Sequence, residues 1–325
     1  MSFLPIIIAL LLLSCSSLQA QQAGEEGPAR ASGRRGVETP AASRKQAVDH
    51  RLLDRILREN VHGERVDYLV IRRDHLQELE TYLSRMDRVR PAGLDRNERL
   101  AFFINLYNAS MIRAVIERLR ADWTPRAEGF QVFKDPVVRL QGRRISLDHL
   151  EHEIIRKRFE DPRIHAALVC AAVSCPPILP GAWSGRHLQR TLEERMRAFV
   201  RDERRNRVER SRGRVLLSRI FDWYAADFGG SKRVLAYVDR YHPENLKGLR
   251  VAFRDYSWDL NIARPANGRF VRVVRRTPLE KEGLVFEKGQ ILALEKEAGK
   301  ALRVRVPGSR DRSVLVPATA VTSYP

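Results

Sequence analysis

Residues 97–120 read NERLAFFINLYNASMIRAVIERLR and form the strongest helical pattern of the chain. Apolar residues occupy several sides of this helix from 100 to 116, whereas a surface helix carries them on one face. We therefore expect the helix to lie in the centre of the core. Asn105 and Asn108 place two amides on this apolar surface, where each must be hydrogen-bonded. They either fasten neighbouring loops and strand edges or line a site.

The segments around this helix predict an α+β fold, a mixture of helices and short strands. Amphipathic spacing predicts helices over 47–61, 73–89, 146–159 and 188–205, and shorter ones over 220–228 and 234–241. Alternation predicts hairpins over 137–145 and 208–217 and a strand over 249–253. We expect these segments to form one helix-rich main domain over 47–261.

After Asn261 the pattern changes to short alternating strands separated by Gly and Pro. No helical pattern follows, and such spacing is typical of a small β-barrel or SH3-like module. We therefore predict an all-β module over 262–325.

The first twenty residues, MSFLPIIIALLLLSCSSLQA, contain no charged side chain and fit a secretory signal peptide. Their apolar run is too short for an ordinary transmembrane helix. Cleavage before a lipidated Cys15 is preferred over cleavage after Ala20. Residues 21–46 are rich in Gly, Ala, Ser, Pro and charge, which predicts a disordered linker. We expect an exported protein, either periplasmic or anchored as a lipoprotein.

The formal net charge is +19, and arginine supplies most of the positive charge. The first interpretation is a solvated surface. The second is contact with an anionic envelope polymer or the membrane surface. The basic residues are spread along the chain without a nucleic-acid-binding motif, so no nucleic acid partner is expected.

Residues 161–177 read DPRIHAALVCAAVSCPP and carry the most reactive side chains of the chain. The small apolar residues predict a buried strand or a tightly packed helix. We expect Cys170 to be buried and structural, and Cys175, before two prolines, to lie in an exposed turn. A thiol beside the imidazole of His165 can become a nucleophile. A Cys170–Cys175 disulfide or two inert thiols are the alternatives.

The leading hypothesis is a Cys/His-dependent hydrolase or acyl transferase of the cell envelope. In it Cys175 is the nucleophile, His165 or His152 the general base, and Asn105 or Asn108 a polarising donor. The alternative is a non-catalytic envelope binding or scaffold protein with a structural Cys170–Cys175 disulfide. Thiol redox chemistry is less favoured, because the cysteines lack the CxxC spacing.

Other chemistry finds little support in the sequence. His149, His152 and Glu153 share a helix face, but no HExxH motif is present, so we predict no metal site. Nucleotide-binding glycine loops and a GxSxG elbow are absent, so no cofactor is predicted. Asp222, Asp227 and Asp259 lie near aromatic residues, and any of these carboxylates is a candidate to orient a histidine.

Five blocks, in order, resemble the DUF547 domain family across about residues 50–261. They read ERLAFFINLYNASMI, ISLDHLEHEIIR, DPRIHAALVCAAVSCPP, FDWYAADF and DYSWDLN. The resemblance implies an α/β or α+β domain found in exported bacterial proteins and in some plant and animal proteins, and it implies no activity. The positions that match the family's typical pattern are Asn105, Tyr107, Asn108, Glu151, His152, His165, Cys170, Ser174, Cys175 and Pro176.

Overall fold

The computed structural model of the chain describes residues 47–120, 123–263, 270–288, 291–305 and 313–324. The predicted signal peptide and linker lie outside the described residues. None of the described helices is both long and apolar enough to cross a membrane.

Helices make up most of the chain between residues 51 and 239. The α-helices are α1 (Arg51–Asn60), α2 (Tyr68–Val70), α3 (Leu76–Asp87), α4 (Arg96–Arg118), α5 (Ala127–Lys134), α6 (Lys157–Phe159), α7 (Leu188–Arg201), α8 (Ile220–Trp223) and α9 (Val234–Asp239). Two π-helical segments cover Ile71–His75 and His149–Arg156. Short 3-10 turns cover Pro91–Gly93, Pro162–Ala166, Arg210–Arg212, Ser231–Arg233, Glu280–Glu282 and Ala318–Ala320.

Helix α4 is the central element, as its sequence predicted. Asp95 caps its first turn by accepting a hydrogen bond from the Glu98 N–H (2.9 Å). Every residue from 100 to 112 is buried, and helices α3 and α7 pack against α4. Because apolar residues surround this helix on all sides, its position in the core follows from its composition.

The strands form several small sheets. In the first part of the chain they are β1 (Val61–His62), β2 (Arg65–Val66), β3 (Val138–Leu140), β4 (Arg143–Ile145), β5 (Arg207–Glu209), β6 (Arg214–Leu217) and β7 (Arg250–Phe253). β3 and β4 form the predicted hairpin, as do β5 and β6, and β7 joins β6 in parallel.

The last part of the described chain is built from strands. They are β8 (Phe270–Val273), β9 (Thr277–Leu279), β10 (Leu284–Phe286), β11 (Ile291–Ala298), β12 (Ala301–Arg305), β13 (Ser313–Pro317) and β14 (Val321–Tyr324). Five of them form an antiparallel sheet in the order β13-β12-β11-β8-β14, and β9 pairs with β10. This sheet has its own apolar core, which includes Val273, Leu292 and Val316. The predicted α+β fold class is therefore confirmed, whereas the boundary at 262 and the SH3-like topology stay predictions.

The cysteine segment, residues 161–177, departs from its sequence-based prediction. It forms neither a regular strand nor a packed helix: the 3-10 turn Pro162–Ala166 is followed by irregular backbone with one bridge, between Ala172 and Leu260. Buried irregular backbone needs partners for its polar groups. Those partners come from side chains of other elements, which the local pattern of small apolar residues does not reveal.

Candidate active site

Two other parts of the chain hold the cysteine segment in place. Asn108 on α4 donates from Nδ2 to the Ala167 carbonyl (2.9 Å) and accepts at Oδ1 from the Val169 N–H (3.0 Å). On the other side, the Asn261 N–H donates to the Ala171 carbonyl and the Val173 N–H to the Asp259 carbonyl. The segment that carries both cysteines is thus fixed between the core helix and residues 257–261.

Arg205 fixes the far end of the same segment. Its buried guanidinium donates to the carbonyls of Cys175 (3.0 Å) and Val173 (2.9 Å) and pairs with Glu64 and Asp202. The two carboxylates balance its charge, so the side chain satisfies backbone carbonyls without leaving an unpaired cation inside the protein.

Cys170 and Cys175 are free thiols in contact with each other. The Cys170 N–H donates to Cys175 Sγ (3.0 Å), and Cys170 Sγ lies 3.2 Å from the hydroxyl of Tyr256. Between them, Ala171 adopts a left-handed conformation with φ 60°, which is costly for a residue with a Cβ. Such strain is typical of sites where the surrounding structure dictates the backbone.

The two thiols differ in their tendency to ionise. Burial opposes the thiolate of Cys170, but hydrogen bonds from the Cys175 thiol, the Tyr256 hydroxyl and the Ala172 N–H hold its pKa below the ordinary value. Burial raises the pKa of Cys175 well above its ordinary value, and its hydrogen bond to Cys170 adds to that rise. Cys170 is therefore the thiol that ionises more readily, and Cys175 the one that keeps its proton.

The predicted exposure of Cys175 is wrong. Cys175 is 3% exposed and belongs to the core, whereas Cys170 is half-buried. Pro176, which was expected to force an exposed turn, is itself buried. The prolines interrupt regular structure as expected, but Arg205 satisfies the carbonyls around them, so the turn remains inside the protein.

His165 is buried, with 4% of its surface exposed, and contacts the carboxylate of Asp227. Its Nε2 is 2.7 Å from Oδ2 of Asp227, and Arg156 binds both oxygens of that carboxylate at 2.7 and 2.8 Å. Burial opposes ionisation of Asp227, yet the hydrogen bonds from His165 and Arg156 hold its pKa well below the usual range. An ionised Asp227 fixes the Nε2–H tautomer of the imidazole, which leaves the lone pair on Nδ1.

The His165 ring also packs against Tyr224, with ring centroids 4.0 Å apart. Burial and a hydrogen bond to Glu151 raise the pKa of Tyr224, so its hydroxyl stays protonated. Two contacts therefore fix the His165 ring: the hydrogen bond from Nε2 to Asp227 and the packing of the ring against Tyr224.

The thiols and the imidazole line one cavity of about 210 Å³. A cavity of about 150 Å³ accommodates benzene, so this one has room for a ring or a short acyl chain. Trp223, which is 49% exposed, marks its mouth. The lining residues are Tyr107, Phe130, Phe133, Asp148, Glu151, His165, Leu168, Cys170, Cys175, Ile220, Trp223, Tyr224, Tyr256 and Trp258.

Two carboxyl groups line the cavity wall at the π-helical segment His149–Arg156. Glu151 lies within the segment, and Asp148 directly precedes it. Burial raises the pKa of Asp148, with Glu151 adding to the effect and His152 opposing it. π-helical turns are rare, and those that occur are often found at functional sites. Among the described residues, no group of three or more His, Cys, Asp or Glu side chains is arranged to hold a metal ion.

The structure brings together only some of the predicted site residues. Cys175 and His165 line the cavity, but His152 lies outside it and has its Nδ1 2.9 Å from an Arg156 nitrogen. Asn105 exchanges two hydrogen bonds with the backbone of Trp183 (2.8 and 2.9 Å), and Asn108 holds the cysteine segment. Both amides thus have the fastening role that the sequence left open, and neither lines the cavity.

Several residues of the cavity belong to none of the motifs that predicted the site. Tyr224, Tyr256 and Trp258 belong to the FDWYAADF and DYSWDLN blocks, which combine aromatic and acidic residues far along the chain from the cysteines. Asp227, in the first block, was one of three carboxylates considered as partners of a histidine, and it is the one that contacts His165. The concentration of Trp, Tyr and Asp in these blocks was the available signal.

Comparison with known proteins gives one match. Residues 91–200 match the sequence model of the family described as "Protein of unknown function, DUF547". No curated protein and no solved structure matches the chain. The matched range contains α4, the π-helical segment and the cysteine segment, which together supply the thiols, His165 and Glu151. The match over residues 91–200 supports the assignment of this part of the chain to the DUF547 family.

Proposed function

We propose that the domain is a thiol-dependent hydrolase or acyl transferase with Cys170 as its nucleophile. The observation that carries the proposal is the cavity that contains both a thiol of lowered pKa and a histidine held by an aspartate. Cys170 replaces Cys175 in this role, because Cys175 is buried and its raised pKa suits a hydrogen-bond donor.

In the proposed reaction, Nδ1 of His165 takes the proton of the Cys170 thiol, and the resulting thiolate attacks the carbonyl carbon of an ester, thioester or amide. A carbon–sulfur bond forms as the bond to the leaving group breaks, and the leaving group takes a proton from the imidazolium of His165. His165 then accepts a proton from water or from an acceptor alcohol or amine. That nucleophile attacks the thioester and releases the thiol.

Asp227 has a positioning role in this scheme. It holds the His165 ring through Nε2, and Arg156 fixes the carboxylate in turn. The proton that moves during the reaction is therefore the one on Nδ1. The arrangement has the logic of a nucleophile, a base and an orienting carboxylate, which recurs in unrelated folds.

Trapping of an acyl-enzyme tests the proposal. The protein is mixed with p-nitrophenyl acetate, quenched in acid, digested and analysed by mass spectrometry. We expect acetylation of Cys170, with a burst of p-nitrophenol that Cys170→Ala abolishes and His165→Ala slows. Cys175→Ala is the comparison variant: it leaves the proposed nucleophile, so Cys170 should still be acetylated, but more slowly because one hydrogen bond to its thiolate is lost. Acetylation on Cys175 instead, or a burst that survives Cys170→Ala, would refute the assignment.

A second candidate function is non-catalytic binding of an apolar or aromatic group. It is supported by the aromatic walls of the cavity, where Trp223, Tyr256 and Trp258 pack with ring centroids 4.7 to 5.8 Å apart. In this case the thiols shape the cavity without reacting. A Cys170→Ala variant would then bind the same ligands as the parent, and no acyl-enzyme would accumulate. The export of the protein and its envelope location stay predictions under either function.

A further inference from the structure

A second groove, which Ser110 and Arg113 of α4 help to line, carries an unusual concentration of arginine. It has a volume of about 620 Å³ and is lined by residues of α3, α4 and the β3–β4 hairpin. Five arginines line it against two glutamates, which are Glu80 and Glu117. Arg113 pairs with both glutamates, and Arg118 also lies within 3.6 Å of Glu117, so both carboxylates already have partners within the protein. The remaining arginines are Arg85, Arg88, Arg139 and Arg144.

All four arginines are exposed, and none of them forms an ion pair with a carboxylate among the described residues, although the charge of Arg85 acts on Asp49 at longer range. Arg144 donates from Nε to the Pro136 carbonyl (3.0 Å), which leaves its charge uncompensated. Arg85 and Arg88 lie at the carboxyl end of α3, where the helix dipole favours positive charge. No such explanation is available for the two arginines of the hairpin.

Arg139 and Arg144 stand directly opposite each other on the antiparallel strands β3 and β4. Like charges in directly opposite positions destabilise a strand pair. The hairpin is nevertheless fixed to the end of α3, because Asp87 accepts hydrogen bonds from the Gln141 N–H (2.8 Å) and the Gly142 N–H (2.9 Å). The fold thus holds two repelling cations side by side at the groove.

A buried hydroxyl without a partner lies in the same groove. Ser110 on α4 is 1% exposed and lines the groove, and its Oγ makes no hydrogen bond to any described residue. A helical serine usually bonds to the carbonyl four residues earlier. A buried hydroxyl that makes no bond costs stability, which a ligand oxygen would restore.

We propose that this groove binds a phosphoryl anion carrying more than one phosphate charge. Guanidinium groups bind phosphate oxygens through paired, charge-assisted hydrogen bonds, and an anion between Arg139 and Arg144 would remove their repulsion. The volume lies in the range of small-molecule sites. The phosphate can belong to a soluble oligophosphate or to a lipid headgroup, and the chemistry of recognition is the same.

Calorimetric titration of the full chain with inorganic tripolyphosphate tests the proposal, with citrate as a carboxylate control. A parallel sedimentation assay uses phosphatidylcholine vesicles with and without phosphatidylglycerol. The test variant is Arg139→Gln with Arg144→Gln. The matched control, Arg207→Gln with Arg250→Gln, removes two exposed strand arginines outside the groove.

We expect tripolyphosphate to bind more tightly than citrate and the groove variant to bind it about ten-fold more weakly, since each lost contact is a charge-assisted hydrogen bond. The control variant should bind like the parent. Binding only to the vesicles that contain phosphatidylglycerol, with the same loss in the groove variant, would also support the site and assign it to a lipid headgroup. Equal losses in both variants, or binding of citrate as tight as that of tripolyphosphate, would overturn the proposal.

Ser110→Ala provides an independent test. Because it removes an unsatisfied buried hydroxyl, Tm should stay the same or rise, while the affinity for tripolyphosphate should fall several-fold. An unchanged affinity would overturn the assignment of a ligand oxygen to this position.

Discussion

Replacing Asn105 or Asn108 by alanine gives two comparable perturbations on the same helix, α4. Each asparagine is buried, and each exchanges two hydrogen bonds with the backbone of another segment. Replacing either by alanine leaves one buried N–H and one buried carbonyl without a partner. At about 1–3 kcal/mol for each unsatisfied group, the cost lies between about 2 and 6 kcal/mol. We expect about 3 kcal/mol, because water can enter the space that the amide leaves.

The two variants should differ in their effect on the thiols. Asn108 holds the backbone at Ala167 and Val169, directly before Cys170, whereas Asn105 holds Trp183. Urea unfolding should therefore show similar losses for Asn105→Ala and Asn108→Ala, while only Asn108→Ala changes the rate at which iodoacetamide labels Cys170 in the folded protein. A loss below about 1 kcal/mol in both variants, or equal effects on labelling, would contradict the fastening role.

Three further predictions concern other contacts. Burial lowers the pKa of His50 from 6.5 to about 4, so protonation of this side chain favours the unfolded state. The free energy of unfolding should therefore fall by about 3 kcal/mol because of His50 as the pH drops from about 6.5 to 4. Urea unfolding of His50→Phe should lack this part of the pH dependence. Tyr256→Phe removes a hydrogen bond to the Cys170 thiolate, so the pH midpoint for alkylation of Cys170 should move upward. An unchanged midpoint would exclude the Tyr256 hydroxyl as a donor to this thiolate. Arg205→Met removes the donor to the carbonyls of Cys175 and Val173 and leaves Glu64 and Asp202 with Arg204 as their cation, and should cost about 3 kcal/mol in chemical denaturation; a cost under about 1 kcal/mol would show that the cysteine segment keeps its structure without Arg205.

The sequence was most informative where one local pattern determines the structure. Apolar residues on all sides of α4 predicted its central position, and glycine turns predicted both hairpins. The cysteine segment resisted prediction because its backbone is satisfied by Asn108, Arg205 and residues 257–261, which are distant in sequence. No local periodicity records such contacts.

The candidate site was predicted in part for the same reason. His165 and the two cysteines were identified because they lie within one short segment. The burial of Cys175 and the contact of Cys170 with Tyr256 were not predicted, because burial and long-range hydrogen bonds depend on the tertiary structure. The contact between Asp227 and His165 joins residues 62 positions apart, so the sequence supplied the candidate carboxylates and the fold selected one.

The central claim is that Cys170, and not Cys175, is the reactive thiol. It is tested most directly by brief alkylation of the reduced, folded protein with iodoacetamide across a pH series, with peptide mass spectrometry to separate the two sites. We predict fast labelling of Cys170 with a midpoint below that of an ordinary thiol, about 8.5, and slow labelling of Cys175 at every pH that preserves the fold. Preferential labelling of Cys175, or equally slow labelling of both thiols, would contradict the account.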